Sequence, residues 1–206
     1  MPPIDPDLHP AAQFRSEVAD INREFLRLLT HPDQQEAPQV LGLEKSLMDS
    51  LRQLDVAALD ALASLPMLLP EFRPFPASDG VREPLATRLE SGGSRAWQEL
   101  RRGFANRLLT CIWQLSRQNV WRTSLCAGIR RSDGRRLADM SFRELSRCTD
   151  QAAGLLQVRL AGHPRYWPEL IRILRHGDDD QRIVSRFAVI PLSIAQSWHA
   201  GVDREA

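Results

Sequence analysis

The densest chemistry in the chain is Arg130-Arg131-Ser132-Asp133-Gly134-Arg135-Arg136, four guanidinium groups within seven residues. Arginine presents its N–H donors in a rigid fork that matches phosphate and carboxylate oxygens alike. Beside a helix terminus, where backbone N–H groups are also unsatisfied, such a cluster fits the phosphates of a DNA backbone. It fits equally a solvated surface turn paired with acids of the first half. Arg101 and Arg102 upstream and Arg182 and Arg186 downstream complete the set of candidate DNA-contacting residues. Arg172, Arg175, Arg182 and Arg186 are spaced more loosely, and solvated helix faces account better for them.

Charge is divided unevenly along the chain. Residues 1–100 hold 9 Lys and Arg against 16 Asp and Glu, a balance of −7, whereas residues 101–206 hold 18 against 10, a balance of +8. Within 101–136 stand nine arginines and one acid, Asp133. Two readings follow: the halves, or successive subunits, attract each other, or the positive half meets a polyanion. Of the 27 basic residues only Lys45 is lysine, which chooses between neither, because arginine serves both.

Other chemistry is sparse. No phosphate-binding glycine loop, dinucleotide fingerprint, zinc-protease pair or nucleophile elbow occurs, so no enzyme, metal or cofactor is expected. His176-Gly177-Asp178-Asp179-Asp180 lacks the alternating ligands and distal Glu of a calcium loop and reads better as an acidic helix N-terminus. Cys111, Cys126 and Cys148 lie among apolar neighbours without close spacing, as reduced buried thiols do. No apolar run approaches the roughly 18–20 residues that span a bilayer, and the opening MPPIDPDLHP is unlike a signal peptide, so a cytoplasmic protein with no membrane contact is expected.

The elements that must carry these residues are helical. Leu, Ala, Arg and Glu dominate and glycine is sparse. After a disordered leader, 1–10, apolar spacing predicts helices over about 11–30, 43–54 and 56–65, the last capped by Asp55 and ended by Pro66. Four prolines between 66 and 76 predict an extended segment, and Ser91-Gly92-Gly93 a linker, with a short helix near 82–89 between them. A long helix follows over about 94–119 with Arg101, Arg102, Arg107 and Arg117 on its polar face, then one near 132–140. Ser141-Phe142-Arg143-Glu144 is a capping box opening a helix to about 158. Helices near 167–175, 181–189 and through Ile194 and Trp198 close the chain.

Residues 41–73 and 127–159 align without a gap at an offset of 86. Gly42 meets Gly128, Ser46 meets Ser132, Leu51 meets Leu137, Leu59 meets Leu145, Leu69 meets Leu155 and Arg73 meets Arg159, and the helix caps Asp55 and Ser141 also coincide. The run Leu41-Gly42-Leu43 through Leu51, Leu54, Leu59, Leu62-Ala63, Leu69 and Phe72-Arg73 resembles the FlhD family, the smaller subunit of the bacterial flagellar master regulator. Asp20-Ile21-Asn22 followed by Phe25-Leu26 resembles the motif of that family's first helix. The second copy keeps less, with Asn106, Ala127-Gly128 and Val158-Arg159, and the family's cysteine near the closing Phe-Arg is replaced by Pro70 and Leu156.

The resemblance implies an all-α fold of two FlhD-like units in tandem, 11–91 and 92–206, forming a pseudo-two-fold pair. It implies a transcriptional activator subunit joined to an FlhC-like partner on double-stranded promoter DNA, for flagellar or conjugative-element genes. A protein adaptor or assembly scaffold that never touches DNA is the alternative.

Overall fold

The structure is a computed structural model and describes residues 8–32, 39–73, 75, 94–178 and 180–181. It is mostly helical, as expected, with two small strand pairs that the composition did not suggest. In chain order the elements are α1 (Leu8–Leu29), β1 (Gln39–Val40), β2 (Leu43–Glu44), α2 (Lys45–Arg52), α3 (Val56–Ala63) and β3 (Pro70–Phe72). Then follow α4 (Arg95–Gln118), α5 (Val120–Ala127), α6 (Arg131–Asp139), α7 (Phe142–Leu155), β4 (Leu156–Val158) and α8 (Tyr166–His176). Among the described residues no helix is long and apolar enough to cross a membrane. The helices expected near 82–89 and through Ile194 and Trp198 lie outside the described residues, as does nearly all of that near 181–189.

Two long helices carry the core. From α1 come Phe14, Val18, Phe25 and Leu29, and from α4 Trp97, Phe104, Leu108, Ile112 and Leu115, each at helical spacing and buried. They meet where Phe25 stacks on Phe104 at 5.3 Å between ring centres, so one core cluster draws on both halves of the sequence. Around this pair α1 packs on α3, and α4 packs on α5, α6 and α7.

Caps set the helix boundaries. Asp55 accepts from Ala58 N at 2.7 Å and Ser94 from Trp97 N at 3.2 Å. The capping box forms: Glu144 accepts from Ser141 N at 2.8 Å, and its carboxyl is held below the usual range by hydrogen bonds from the Ser141 hydroxyl and N–H. Asp178 accepts from Gln181 N at 2.7 Å, the role expected of the acidic run.

Three boundaries and one helix differ from expectation. Helix α1 begins at Leu8, inside the segment expected to be a disordered leader. Helix α2 starts at Lys45 rather than 43, because Leu43 and Glu44 pair with Gln39 and Val40 across Leu41-Gly42. Both turn residues have positive φ, 51° and 91°, as the tightest hairpin turns require. Helix α7 stops at Leu155 because 156–158 form β4. Helix α5 was not expected at all.

The recurrence in sequence reappears in the elements. Helices α2 and α3 and strand β3 begin at 45, 56 and 70, and α6, α7 and β4 begin at 131, 142 and 156. Strands β3 and β4 pair antiparallel, Pro70 with Val158, Glu71 with Gln157 and Phe72 with Leu156. Glu71 thus faces the residue 86 positions later, and the hydrogen bonds Arg73 N to Leu155 O (2.9 Å) and Arg159 N to Leu69 O (2.7 Å) mirror each other.

Asn22 ties α1 to the elements that follow it. Fully buried, it donates from Nδ2 to Ala63 O at 3.1 Å and Met67 O at 2.9 Å and accepts from Leu69 N at 2.8 Å, fastening α1 to the end of α3 and the approach to β3. Asn106 is exposed and only accepts from Thr149 Oγ1 at 3.4 Å. Asn22→Ala strands three buried backbone groups and is expected to cost about 3 kcal/mol in urea unfolding. Asn106→Ala is expected to cost less than about 0.5 kcal/mol.

Candidate nucleic-acid interface

The arginine cluster sits on the second of two short helices joined by a tight turn. Asn119 ends α4 and starts α5 in one residue: extended (φ −158°, ψ 98°), it accepts on its side chain from Arg122 N at 3.0 Å. Nine residues later Gly128 closes α5 in the left-handed region, φ +66°. Ile129 is buried, Arg130 is the extended cap of the next helix, and α6 begins at Arg131. Helix, glycine-led turn of three residues and helix are the parts of a helix-turn-helix. The helices cross closely at Gly134, where an added Cβ would stand 3.2 Å from both Ser124 Oγ and Val120 Cγ1.

Helix α6 has two clean faces. Asp133, Gly134 and Leu137 point inward and are buried, whereas Arg131, Ser132, Arg135, Arg136 and Asp139 are exposed. The Arg131 guanidinium lies 3.4 Å from the ring centre of Trp121 on α5, an indole that is itself 60% exposed. Desolvation, with the nearby charge of Arg135, holds Arg131 below the usual arginine range. The outward face of α6 therefore presents guanidinium donors, that of Arg131 held against the indole.

Arg159 anchors this unit from beneath. It is fully buried, and its Nη1 donates to Cys126 O at 2.6 Å and its Nη2 to Leu125 O at 3.4 Å, at the negative end of the α5 dipole. Its own carbonyl accepts from Trp167 Nε1 at 2.8 Å. Burial pushes the Arg159 guanidinium below its usual range, opposed chiefly by the Glu71 carboxylate. Burial likewise pushes Glu71 above the usual carboxylate range, against the pull of Arg73, 2.7 Å away, and of Arg159. Cys126, whose carbonyl Arg159 holds, has its thiol pushed by burial up to about 11.

The candidate residues divide. Arg130, Arg131, Arg135 and Arg136 come together on α6 and its cap. Arg101 does not join them: it is half-buried over Trp97, with Nη2 turned to Leu156 O at 3.5 Å, because the start of α4 lies against β4. Arg102 is exposed on α4. Arg182 and Arg186 lie outside the described residues. Of the remaining arginines in 101–136, Arg107 pairs with Glu24, Arg117 lies over Trp113 and Arg122 over Phe14. Sequence reading missed α5, Trp121 and Arg159. Asn119 and Gly128, a cap and a stop nine residues apart, were the signals available.

Compared with known protein families, curated proteins and solved structures, the chain finds no match in any of the three.

Gly128 is the hinge of this arrangement. An added Cβ would meet the Arg159 guanidinium at 2.8 Å, and a left-handed alanine alone costs about 1–2 kcal/mol. Gly128→Ala is expected to lower urea stability by at least about 2 kcal/mol. Gly162→Ala, with nothing within 4 Å of the new methyl, is expected to stay within about 0.5 kcal/mol of the parent.

Proposed function

We propose that this chain is a transcription-regulating subunit that acts on double-stranded DNA in the cytoplasm with a second, different chain. Its two helical units, related by duplication, resemble FlhD subunits and pack about a pseudo-two-fold axis through β3 and β4. The partner is FlhC-like, and the controlled genes are flagellar or those of a conjugative element.

The tandem part of this reading is supported by the matched element starts and by the pairing of Glu71 with Gln157, its counterpart 86 residues on. The buried Asn22, which the sequence resemblance singled out, is a fitting anchor for such a unit.

The observation that carries the DNA reading is the state of the arginines on the second unit. If the opposite charges of the halves existed to hold the halves together, the cluster would meet acids of the first half. Arg107 does so through Glu24, but among the described residues Arg130, Arg131 and Arg135 form no ion pair. Arg131 and Arg135, exposed on the outer face of a short helix and the first of them laid over an indole, suit phosphate and base edges.

A partner chain is favoured by two exposed apolar residues at the same step of each unit. Val56 opens α3 at 75% exposure and Phe142 opens α7 at 65%.

The test is titration of the full chain, alone and with an FlhC-like chain, onto duplex DNA at several salt concentrations. The logarithm of the association constant is expected to fall linearly with the logarithm of salt, with a slope of about −0.9 for each phosphate neutralised. Binding that follows a protein ligand alone and ignores DNA would make the chain an adaptor.

A further inference from the structure

We infer that α6 is a major-groove reading helix for double-stranded DNA, that α5 orders it, and that of the matched helices α2 and α6 only α6 reads. This rests on the DNA-binding reading above and goes further, from phosphate contact to sequence recognition.

Placement comes first. In a helix-turn-helix the first helix crosses the DNA backbone while the N-terminal residues of the second meet base edges. The first turn of α6 and the turn after it set Arg131, Ser132 and Arg135 on one exposed face. The major groove, about 12 Å wide, admits a helix, and arginine there bonds guanine O6 and N7 with both prongs of its fork. A guanine-containing half-site is the chemistry this face fits. Base reading is sharpened when a side chain is held in place, as a long solvated arginine is not. Trp121 supplies the hold for Arg131, so the exposed indole has a function that core packing does not give it.

The second argument comes from the matching helix. Positions 131, 132, 135, 136 and 139 correspond to 45, 46, 49, 50 and 53, which read Lys, Ser, Asp, Ser and Gln. The outward face of α2 thus carries one acid and one base where that of α6 carries three arginines and one acid. Part of it is met by α8: Arg175 donates from Nη2 to Ser50 O at 2.9 Å and Gln53 Oε1 at 3.3 Å. Gly42, the counterpart of Gly128, stands in the turn of the β1–β2 hairpin, whereas Gly128 closes helix α5. The outward face of α2 is therefore less basic than that of α6 and is met in part by α8.

The experiment is selection of bound duplexes from a random-sequence library by the full chain. Affinities for the selected duplex and a scrambled one are then measured for the parent, Arg131→Ala, Arg135→Ala, Trp121→Ala and Lys45→Ala, each checked for helicity. The selected duplexes are expected to share a short guanine-containing motif. Arg131→Ala and Arg135→Ala are expected to lose roughly ten- to a hundredfold on the selected duplex and no more than about threefold on the scrambled one. Trp121→Ala is expected to lose selectivity in the same sense, and Lys45→Ala to change neither affinity. Equal losses on both duplexes would make these arginines phosphate contacts, overturning base reading while leaving DNA binding intact. Affinities unmoved by Arg131→Ala and Arg135→Ala would overturn the assignment of α6. A parent chain that binds no duplex, alone or with an FlhC-like chain, would overturn both this inference and the function proposed above.

Discussion

A buried guanidinium holds the end of α5 and the turn into α6 in place. Taking an arginine out of water costs several kcal/mol unless its donors are met and its charge is balanced. Arg159 meets two carbonyls at the end of α5 and faces the Glu71 carboxylate of the opposite strand. Its Nε finds no acceptor, so the compensation is incomplete and the site tolerates little disturbance. The guanidinium also fills the space beside Gly128, where any Cβ would collide with it. One side chain thereby fixes the end of α5, the turn to α6 and the β3–β4 seam, and so the direction in which α6 presents its arginines.

Comparison with Arg73 shows what is special about this site. The two arginines occupy the same step of the 86-residue recurrence and make mirrored backbone hydrogen bonds across the strand pair. Their side chains part company. Arg73 is exposed and reaches Glu71 at 2.7 Å, whereas Arg159 is buried beneath α5. Arg159 caps the end of α5 just before Gly128, whereas Gly42 at the matching step turns the β1–β2 hairpin. Similar backbones thus carry opposite solutions for one residue type. On our reading α6 faces DNA, while part of the matching face of α2 is taken by Arg175 of α8.

Much of the helical frame could be read from the sequence because its signals are local. Ser94, Asp55 and Ser141 cap helices by bonds within three residues, and the apolar stripes of α1 and α4 repeat at helical spacing. What could not be read depends on contacts distant in sequence. Strand β4 ends α7 only because β3, 86 residues earlier, is there to pair with it. Arg159 looked like the closing residue of a motif, and nothing local marks it as buried. Arg101 looked like its exposed neighbour Arg102 until the position of β4 turned it inward. Helix α5 escaped because its eight residues include Thr123, Ser124 and Cys126, weak helix formers whose burial against α4 and α6 is tertiary. The arginine cluster itself was plain in the sequence; its division into an outward and an inward face was not.

The central claim is that the second unit, and not the first, lays its short helix against DNA. The most direct measurement places a photo-crosslinking side chain at Ser132 in one protein and at Ser46 in another. These positions match in the two units and are exposed on α6 and α2. Each protein is irradiated in complex with duplex DNA. Crosslinks to DNA from position 132 and none from position 46 are the predicted result. Crosslinks from position 46 alone, or equally from both, or from neither while the complex is shown to form, would contradict it.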